Sequence, residues 1–193
     1  MSALTRILCF LSVVLASPAG HAQGKAGSFD GEIVATLLGD GRNLKLMQPF
    51  GYIDAAGRRW DVPAGAETDG ASIPRAFWIT HPPFTGKYRA AAVIHDYYCR
   101  TRSRSWQETH NVFYESMLAA GVDDRTAKVM WGAVYRFGPR WGAGADRRSP
   151  RPARPSSVKE QTEFIRDLGR WITRSNPDRD EIAKAIDSDE VPR

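Results

Sequence analysis

The sequence is poor in cysteine and has no apolar run long enough to cross a bilayer. Cys9 and Cys99 are the two cysteines among 193 residues. The longest apolar run, Ile7 to Ala16, is about half of the roughly 20 residues that a membrane-spanning helix needs. Cys9 lies inside this run, so removal of the run would leave one cysteine and no intrachain disulfide. These absences exclude a disulfide scaffold and a multi-span membrane protein.

The N-terminal residues have the pattern of a secretory signal peptide. Arg6 supplies a positive charge, residues 7–16 supply the apolar run, and Ser17 to Ala22 supply small residues for cleavage. We therefore predict a cleavable signal peptide over residues 1–22, a periplasmic or secreted protein, and no transmembrane segment in the mature chain. An unpaired Cys99 in an oxidising compartment then calls for burial, metal ligation or catalysis.

The sequence also has no acidic excess. Lys and Arg number 27 against 22 Asp and Glu, which gives a formal charge of +5. The excess is concentrated between Arg140 and Lys159, where six basic residues accompany one acidic residue, whereas residues 160–193 are net acidic. Because the basic stretch is linker-like and no zinc-finger, helix-turn-helix or RNA-recognition motif is present, we expect no nucleic-acid partner.

β-Forming residues dominate the N-terminal part of the predicted domain. Glu32 to Leu38 is rich in aliphatic and β-branched residues, and Phe50–Ile53 and Arg58–Val62 flank a glycine-containing turn at residues 54–57. We predict a small antiparallel sheet with a hairpin. Six proline and glycine residues between Pro63 and Pro83 forbid a long regular element there. Loops of this length are often functional.

After Gly86, apolar residues recur at helical spacing in three segments. A capping box at Ser105–Glu108 begins the second helix, Asp123 or Asp124 begins the third, and Gly138 with Pro139 ends it. The predicted stripes are Tyr88, Ala92, His95 and Cys99, then Trp106, His110, Phe113 and Met117, then Ala127, Met130, Val134 and Phe137.

Two segments follow the predicted three-helix core. Residues 142–157 are small, basic and proline-rich, which predicts a flexible arm. Residues 158–193 contain an amphipathic helix and a short acidic one, which we expect to pack on the core, with a protein partner as the alternative. The predicted fold class is α+β, with the domain itself over residues 29–141 and a small N-terminal sheet on three helices.

Three chemically active side chains fall on facing stripes of the first two helices. His95 precedes the polar turn at residues 101–104 by about the same distance as His110 follows it, so both histidines should be level and facing. Cys99 lies one turn from His95 on the same stripe, with Asp96 beside it. In the purely structural interpretation, the two histidines are hydrogen-bonded core residues and the cysteine acts as a small hydrophobic residue.

The loop Thr68 to Arg75 is a second candidate for chemistry. Asp69 next to Gly70 offers a carboxylate and an accessible carbonyl to a hard cation, although an Asp-Gly turn is the commonplace interpretation. Ser72 lacks a recognisable nucleophile elbow.

Four motifs in fixed order resemble the phage and proteobacterial family catalogued as domain of unknown function 1353. They are Val62–Arg75, Ala91–Tyr98, Phe113–Met117 and Val134–Gly138, and the similarity spans about Phe50 to Trp141. Membership implies no specific activity.

The same order of motifs is similar, more distantly, to secreted prokaryotic phospholipases A2. This resemblance implies a phospholipase-like three-helix core, with Asp69, the Gly70 carbonyl and Asp96 as calcium ligands and His95 as the general base. Two positions depart from the lipase pattern: His110 replaces the aspartate that orients the histidine, and Cys99 replaces a tyrosine. Nitrogen and sulfur donors favour zinc over calcium, so His95, Cys99 and His110 with Asp96 also form a candidate zinc set.

From these residues we expect a secreted or periplasmic hydrolase that acts on an envelope substrate, either lipid or peptidoglycan, through a histidine- or metal-activated water. Its candidate catalytic residues are His95, Cys99 and His110. Two alternatives stay open: a non-catalytic envelope or phage-derived module in which these residues only lock the helix hairpin, and an enzyme with a Cys99–His95 nucleophile pair.

Overall fold

The computed structural model describes residues 27–70, 74, 86–142, 150–151 and 156–192. Over these residues the chain forms two three-stranded antiparallel sheets, one two-residue strand pair and five helices. The predicted α+β class is therefore confirmed. None of the helices in the described ranges is long and apolar enough to span a membrane. The predicted signal peptide, residues 1–22, lies outside the described residues.

The first sheet contains the predicted hairpin. Its strands β1 (Ser28–Asp30), β4 (Phe50–Ile53) and β5 (Arg59–Val62) lie in the order β1-β4-β5. Trp60 on β5 and Tyr52 on β4 are both fully buried, because residues directly opposite each other in an antiparallel pair point to the same face of the sheet. This face packs on the first helix in a core that also holds Val93 and Ile94.

The second sheet joins segments that are distant in sequence. It is formed by β2 (Ala35–Leu37), β3 (Leu44–Leu46) and β6 (Glu67–Thr68), in the order β2-β3-β6. The β-rich segment Glu32–Leu38 contributes only the three residues of β2, so the predicted strand was too long. Thr68, at the end of β6, contacts the first helix and there begins the candidate ligand loop.

Three helices form the centre of the molecule, with ends where the caps predict them. The helices are α1 (Arg89–Thr101), α2 (Trp106–Ala119) and α3 (Asp124–Phe137). Ser105 and Glu108 form the predicted reciprocal capping box of α2. The side chain of Asp123 caps α3 by accepting a hydrogen bond from the amide of Thr126.

The C-terminal helices α4 (Val158–Ser175) and α5 (Arg179–Asp187) pack on α3, as expected from their apolar faces. Close approach depends on Gly132 of α3, because a Cβ there would lie 2.6 Å from Leu168 Cδ2. In the predicted arm, β8 (Pro150–Arg151) pairs with β7 (Arg140–Trp141). The remaining arm residues between 143 and 155 lie outside the described ranges.

Asp54 is a buried carboxylate that organises the β4–β5 turn. It accepts hydrogen bonds from Trp60 Nε1 at 3.1 Å and from the amide and Nε of Arg58, both at 2.8 Å. Burial raises the pKa of Asp54, but these hydrogen bonds and the Arg58 charge outweigh burial and leave the pKa below its usual value.

Replacement of Asp54 by Asn should destabilise the protein by about 2 kcal/mol at pH 7, because charge-assisted hydrogen bonds to a buried group are lost. A depressed folded-state pKa contributes stability above the unfolded pKa of about 4 and loses it as the pH falls through the folded value. Urea unfolding should therefore show that the gap between wild type and Asp54→Asn closes on acidification. Asp61→Asn, at an exposed carboxylate paired with Arg59, is the control and should cost less than about 1 kcal/mol. A gap that is independent of pH would contradict this role of Asp54.

Replacement of Gly132 by Ala tests the packing of the C-terminal helices. The new Cβ would collide with the fully buried Leu168, so we expect a loss of about 1–3 kcal/mol in thermal unfolding relative to Gly169→Ala. At Gly169 on α4 a Cβ would meet Val129 at an ordinary 3.8 Å, so that variant should keep the gain in helix propensity. Equal stability of the two variants would mean that α4 is not tightly packed on α3.

Candidate functional site

The hairpin of α1 and α2 brings the two predicted histidines into direct contact. His95 lies on α1 and His110 on α2, and His95 Nε2 is 2.9 Å from His110 Nδ1. One ring nitrogen donates and the other accepts. The expected contact across the hairpin is thus confirmed.

Cys99 completes a cluster of three donor atoms. Its Sγ lies 3.5 Å from His95 Nε2 and 3.9 Å from His95 Nδ1, one helical turn further along α1. In the part of the chain that the structure describes, one ligand atom each from His95, Cys99 and His110 lies within 4.8 Å of the others. All three residues are buried.

The ring nitrogen of His95 that each partner contacts bears on the choice between a proton relay and a metal site. In a catalytic triad the histidine uses one ring nitrogen for the nucleophile and the other for the orienting group. Here Nε2 of His95 is the nitrogen nearest to both Cys99 and His110. Three donors that converge on one point are the arrangement of a ligand set, which disfavours the alternative of a Cys99–His95 nucleophile pair.

The spacings are close to those of tetrahedral zinc. With Zn–N near 2.05 Å and Zn–S near 2.3 Å, tetrahedral angles place two nitrogens about 3.3 Å apart and a nitrogen and a sulfur about 3.6 Å apart. The observed distances are 2.9 Å for the two nitrogens and 3.5 Å for Sγ and Nε2. These two distances differ from the tetrahedral values by a few tenths of an ångström or less, and all three donor atoms lie within 4.8 Å of one another.

Burial keeps both imidazoles neutral. It lowers the pKa of His95 to about 3. Burial, followed by the repulsion that a protonated His95 would exert and by the Arg140 charge, lowers the pKa of His110 well below its usual value. Neutral imidazole is the form that binds metals. Because burial lowers both pKa values below the near-neutral range in which a general base works best, metal ligation suits these histidines better than unaided base catalysis.

The surroundings of His110 are apolar and closely packed. The ring centroids of Phe113 and His95 are 4.8 Å apart, and those of Trp106 and His110 are 5.5 Å apart. Among the residues that the structure describes, the buried Nε2 of His110 makes no hydrogen bond of ordinary geometry, although the Pro139 backbone is close enough to favour the protonated form of the ring. A Cβ on Gly138 would lie 3.2 Å from Nε2, so this nitrogen faces the backbone that ends α3.

Asp96 belongs to a second polar cluster on the side of α1 that faces β6. Its carboxylate accepts hydrogen bonds from Thr68 Oγ1 at 2.7 Å and from the amide of Asp69 at 3.2 Å. The amide of Gly70, a residue with a φ of +63°, donates to the same Thr68 hydroxyl. From the sequence, Thr68 is named only as the first residue of the loop and is assigned no role. The one signal for such a role is that Thr68 directly precedes Asp69.

The predicted ligand set therefore divides into two groups. His95, Cys99 and His110 converge, whereas Asp69 meets Asp96 through its backbone amide. The Asp69 carboxylate is 28% exposed and pairs with Arg42 Nη2 at 3.3 Å. No local pattern predicts this pairing, because 27 residues separate Arg42 from Asp69. Residues 71–73 and 75–85 of the loop, including Ser72, lie outside the described ranges.

Two curated relatives are similar to this chain. Uncharacterized protein y4iH of Sinorhizobium fredii (strain NBRC 101917 / NGR234) is 47% identical over 117 residues, which cover 60% of this chain and 48% of the relative. Uncharacterized protein y4jT of the same strain is 43% identical over 129 residues, which cover 63% of this chain and 38% of the relative. The chain thus spans less than half the length of either relative.

No solved structure matches the chain. The phospholipase resemblance accordingly rests on the sequence motifs alone. The resemblance to the family of unknown function is supported directly, because a family model matches residues 44–134, the segment that carries His95, Cys99 and His110. Over these residues the chain matches the family described as Protein of unknown function (DUF1353).

Proposed function

We propose that the chain is a zinc-dependent hydrolase of the bacterial envelope, with His95, Cys99 and His110 as the protein ligands. The supporting observation is the convergence of two imidazole nitrogens and one sulfur from two helices. Three protein ligands leave the fourth tetrahedral position for a water, which is the arrangement of catalytic rather than structural zinc sites. Zinc supplies Lewis-acid activation of water near neutral pH.

The chain's own residues would have distinct roles in this site. Cys99 and His95 lie one turn apart on a rigid helix, and α2 supplies His110 from across the seam, so ligand positions are set by helix packing. The aromatic rings of Phe113 and Trp106 pack against His95 and His110 and limit the positions that the two imidazole rings can take. The hydrogen bonds of Asp96 to Thr68 and Asp69 hold the candidate loop against α1.

Zinc suits these donors better than calcium. Calcium takes six to eight oxygen ligands, whereas the converging set contains nitrogen and sulfur. The oxygens implied by the phospholipase resemblance are engaged elsewhere, with Asp96 on Thr68 and Asp69 on Arg42. We infer that the protein acts in the envelope from the predicted signal peptide. The envelope offers two substrate classes, lipid and peptidoglycan.

A second candidate function is a non-catalytic envelope or phage-derived module. The complete burial of His95 and His110 favours it, because a substrate must reach a catalytic ion. In this case the same three residues lock the α1–α2 hairpin, with or without a structural metal.

Elemental analysis of protein purified without chelator tests the ligand set. We expect about one zinc per chain, and at least about a 100-fold loss of zinc affinity in Cys99→Ser and His110→Gln, because ligand number and identity determine the site. Asp96→Asn, which alters the neighbouring cluster, is the matched control and should retain zinc. A chelator should lower the melting temperature of the wild type and leave that of Cys99→Ser unchanged. A metal-free wild type that is indifferent to chelator would refute the site.

Catalysis requires a separate measurement. Zinc-loaded wild-type protein should release products from envelope phospholipid or peptidoglycan, with activity lost on chelation, restored by zinc and absent in Cys99→Ser. Bound zinc without hydrolysis of either substrate class would favour the non-catalytic module.

A further inference from the structure

A groove between α3 and α4 combines an apolar floor with a rim of arginines. Its volume is about 520 Å³, within the usual range of ligand sites. Val129 of α3 and Ile165 and Gly169 of α4 line the floor. The basic residues of the rim are Arg125, Arg166, Arg170 and Arg174.

The charge of this groove is one-sided. Its described lining contains four arginines and no carboxylate. Nearby carboxylates compensate part of the charge: Asp167 accepts hydrogen bonds from Arg166 at 3.2 Å and Arg170 at 2.6 Å, and the charge of Arg125 helps to lower the pKa of Asp123. The side chains of Arg166 and Arg170 are nevertheless 58% and 52% exposed, so their guanidinium groups are accessible from solvent.

An anionic group and an apolar chain complement the two parts of this surface. Guanidinium groups bind the oxygens of phosphate, as they do those of carboxylate, through paired hydrogen bonds. A free phosphate would use the rim and leave the apolar floor exposed to water. A phospholipid would use both, with its phosphate at the rim and the upper part of an acyl chain on Val129 and Ile165.

We propose that the α3–α4 groove docks the protein onto bilayers that contain anionic phospholipid. This site lies on helices other than those that carry His95, Cys99 and His110, and the proposal does not rest on the metal-dependent function. Clustered basic residues gain affinity from the negative surface potential of such membranes, and the groove adds apolar contact for one lipid.

Sedimentation of the full chain with vesicles tests this proposal. We expect binding to vesicles of phosphatidylcholine with 30% phosphatidylglycerol at about 0.15 M salt, and none to pure phosphatidylcholine. The triple variant Arg125→Gln, Arg166→Gln, Arg170→Gln should bind at least about tenfold more weakly. The matched control removes three charges from exposed lysines elsewhere, Lys45→Gln, Lys159→Gln and Lys184→Gln, and should bind within about twofold of wild type.

The other outcomes overturn the proposal in identifiable ways. Equal loss in both triple variants would mean adsorption through overall charge rather than through the groove. Binding of inorganic phosphate or glycerol phosphate with the affinity seen for vesicles would mean a soluble-anion site. Unchanged vesicle binding in Val129→Ser would mean that the floor takes no acyl chain, and circular dichroism of each variant verifies that it is folded.

Discussion

The register between α1 and α2 is the constraint on which the rest of the site depends. Ser105 Oγ accepts a hydrogen bond from the amide of Glu108, and the Glu108 carboxylate accepts one from the amide of Ser105, so α2 begins at a defined residue. Residues outside the two helices also fix the turn between them. The carbonyl of Arg104 accepts a hydrogen bond from Trp141 Nε1, and the Arg104 guanidinium stacks on the ring of Trp60. A slip of one residue would turn His110 by about 100° away from His95.

α1 connects two environments through neighbouring residues. His95 and Cys99 face α2 in a buried, aromatic seam, whereas Asp96 faces β6 and accepts a hydrogen bond from Thr68. Adjacent helical residues point about 100° apart, so one short sequence can serve both faces. The helix thereby joins the small sheets to the helical core, and any shift of α1 would alter the donor cluster and the candidate loop together.

The features that could be predicted from the sequence are mostly those set by local patterns, namely helix caps and helical periodicity. The capping box at Ser105, the cap at Asp123 and the 3.6-residue period gave the helices and hence the contact of His95 with His110. The period says which residues share a stripe, and it says nothing about partners from other elements. The Arg42–Asp69 pair and the β3–β6 pairing depend on long-range packing, which explains why the oxygen ligands were expected to converge with the histidines and were found on a separate cluster.

The burial of Cys99 makes its thiol a reporter of local opening between α1 and α2. Cys99 is 6% exposed as a whole residue, and its thiol packs against His95, so a thiol-directed reagent can react at an appreciable rate only when the α1–α2 seam opens. Because the predicted mature chain has no other cysteine, each alkylation event would report the same local opening. The rate of labelling, followed by mass spectrometry, would thus time the fluctuations of this seam without any engineered probe.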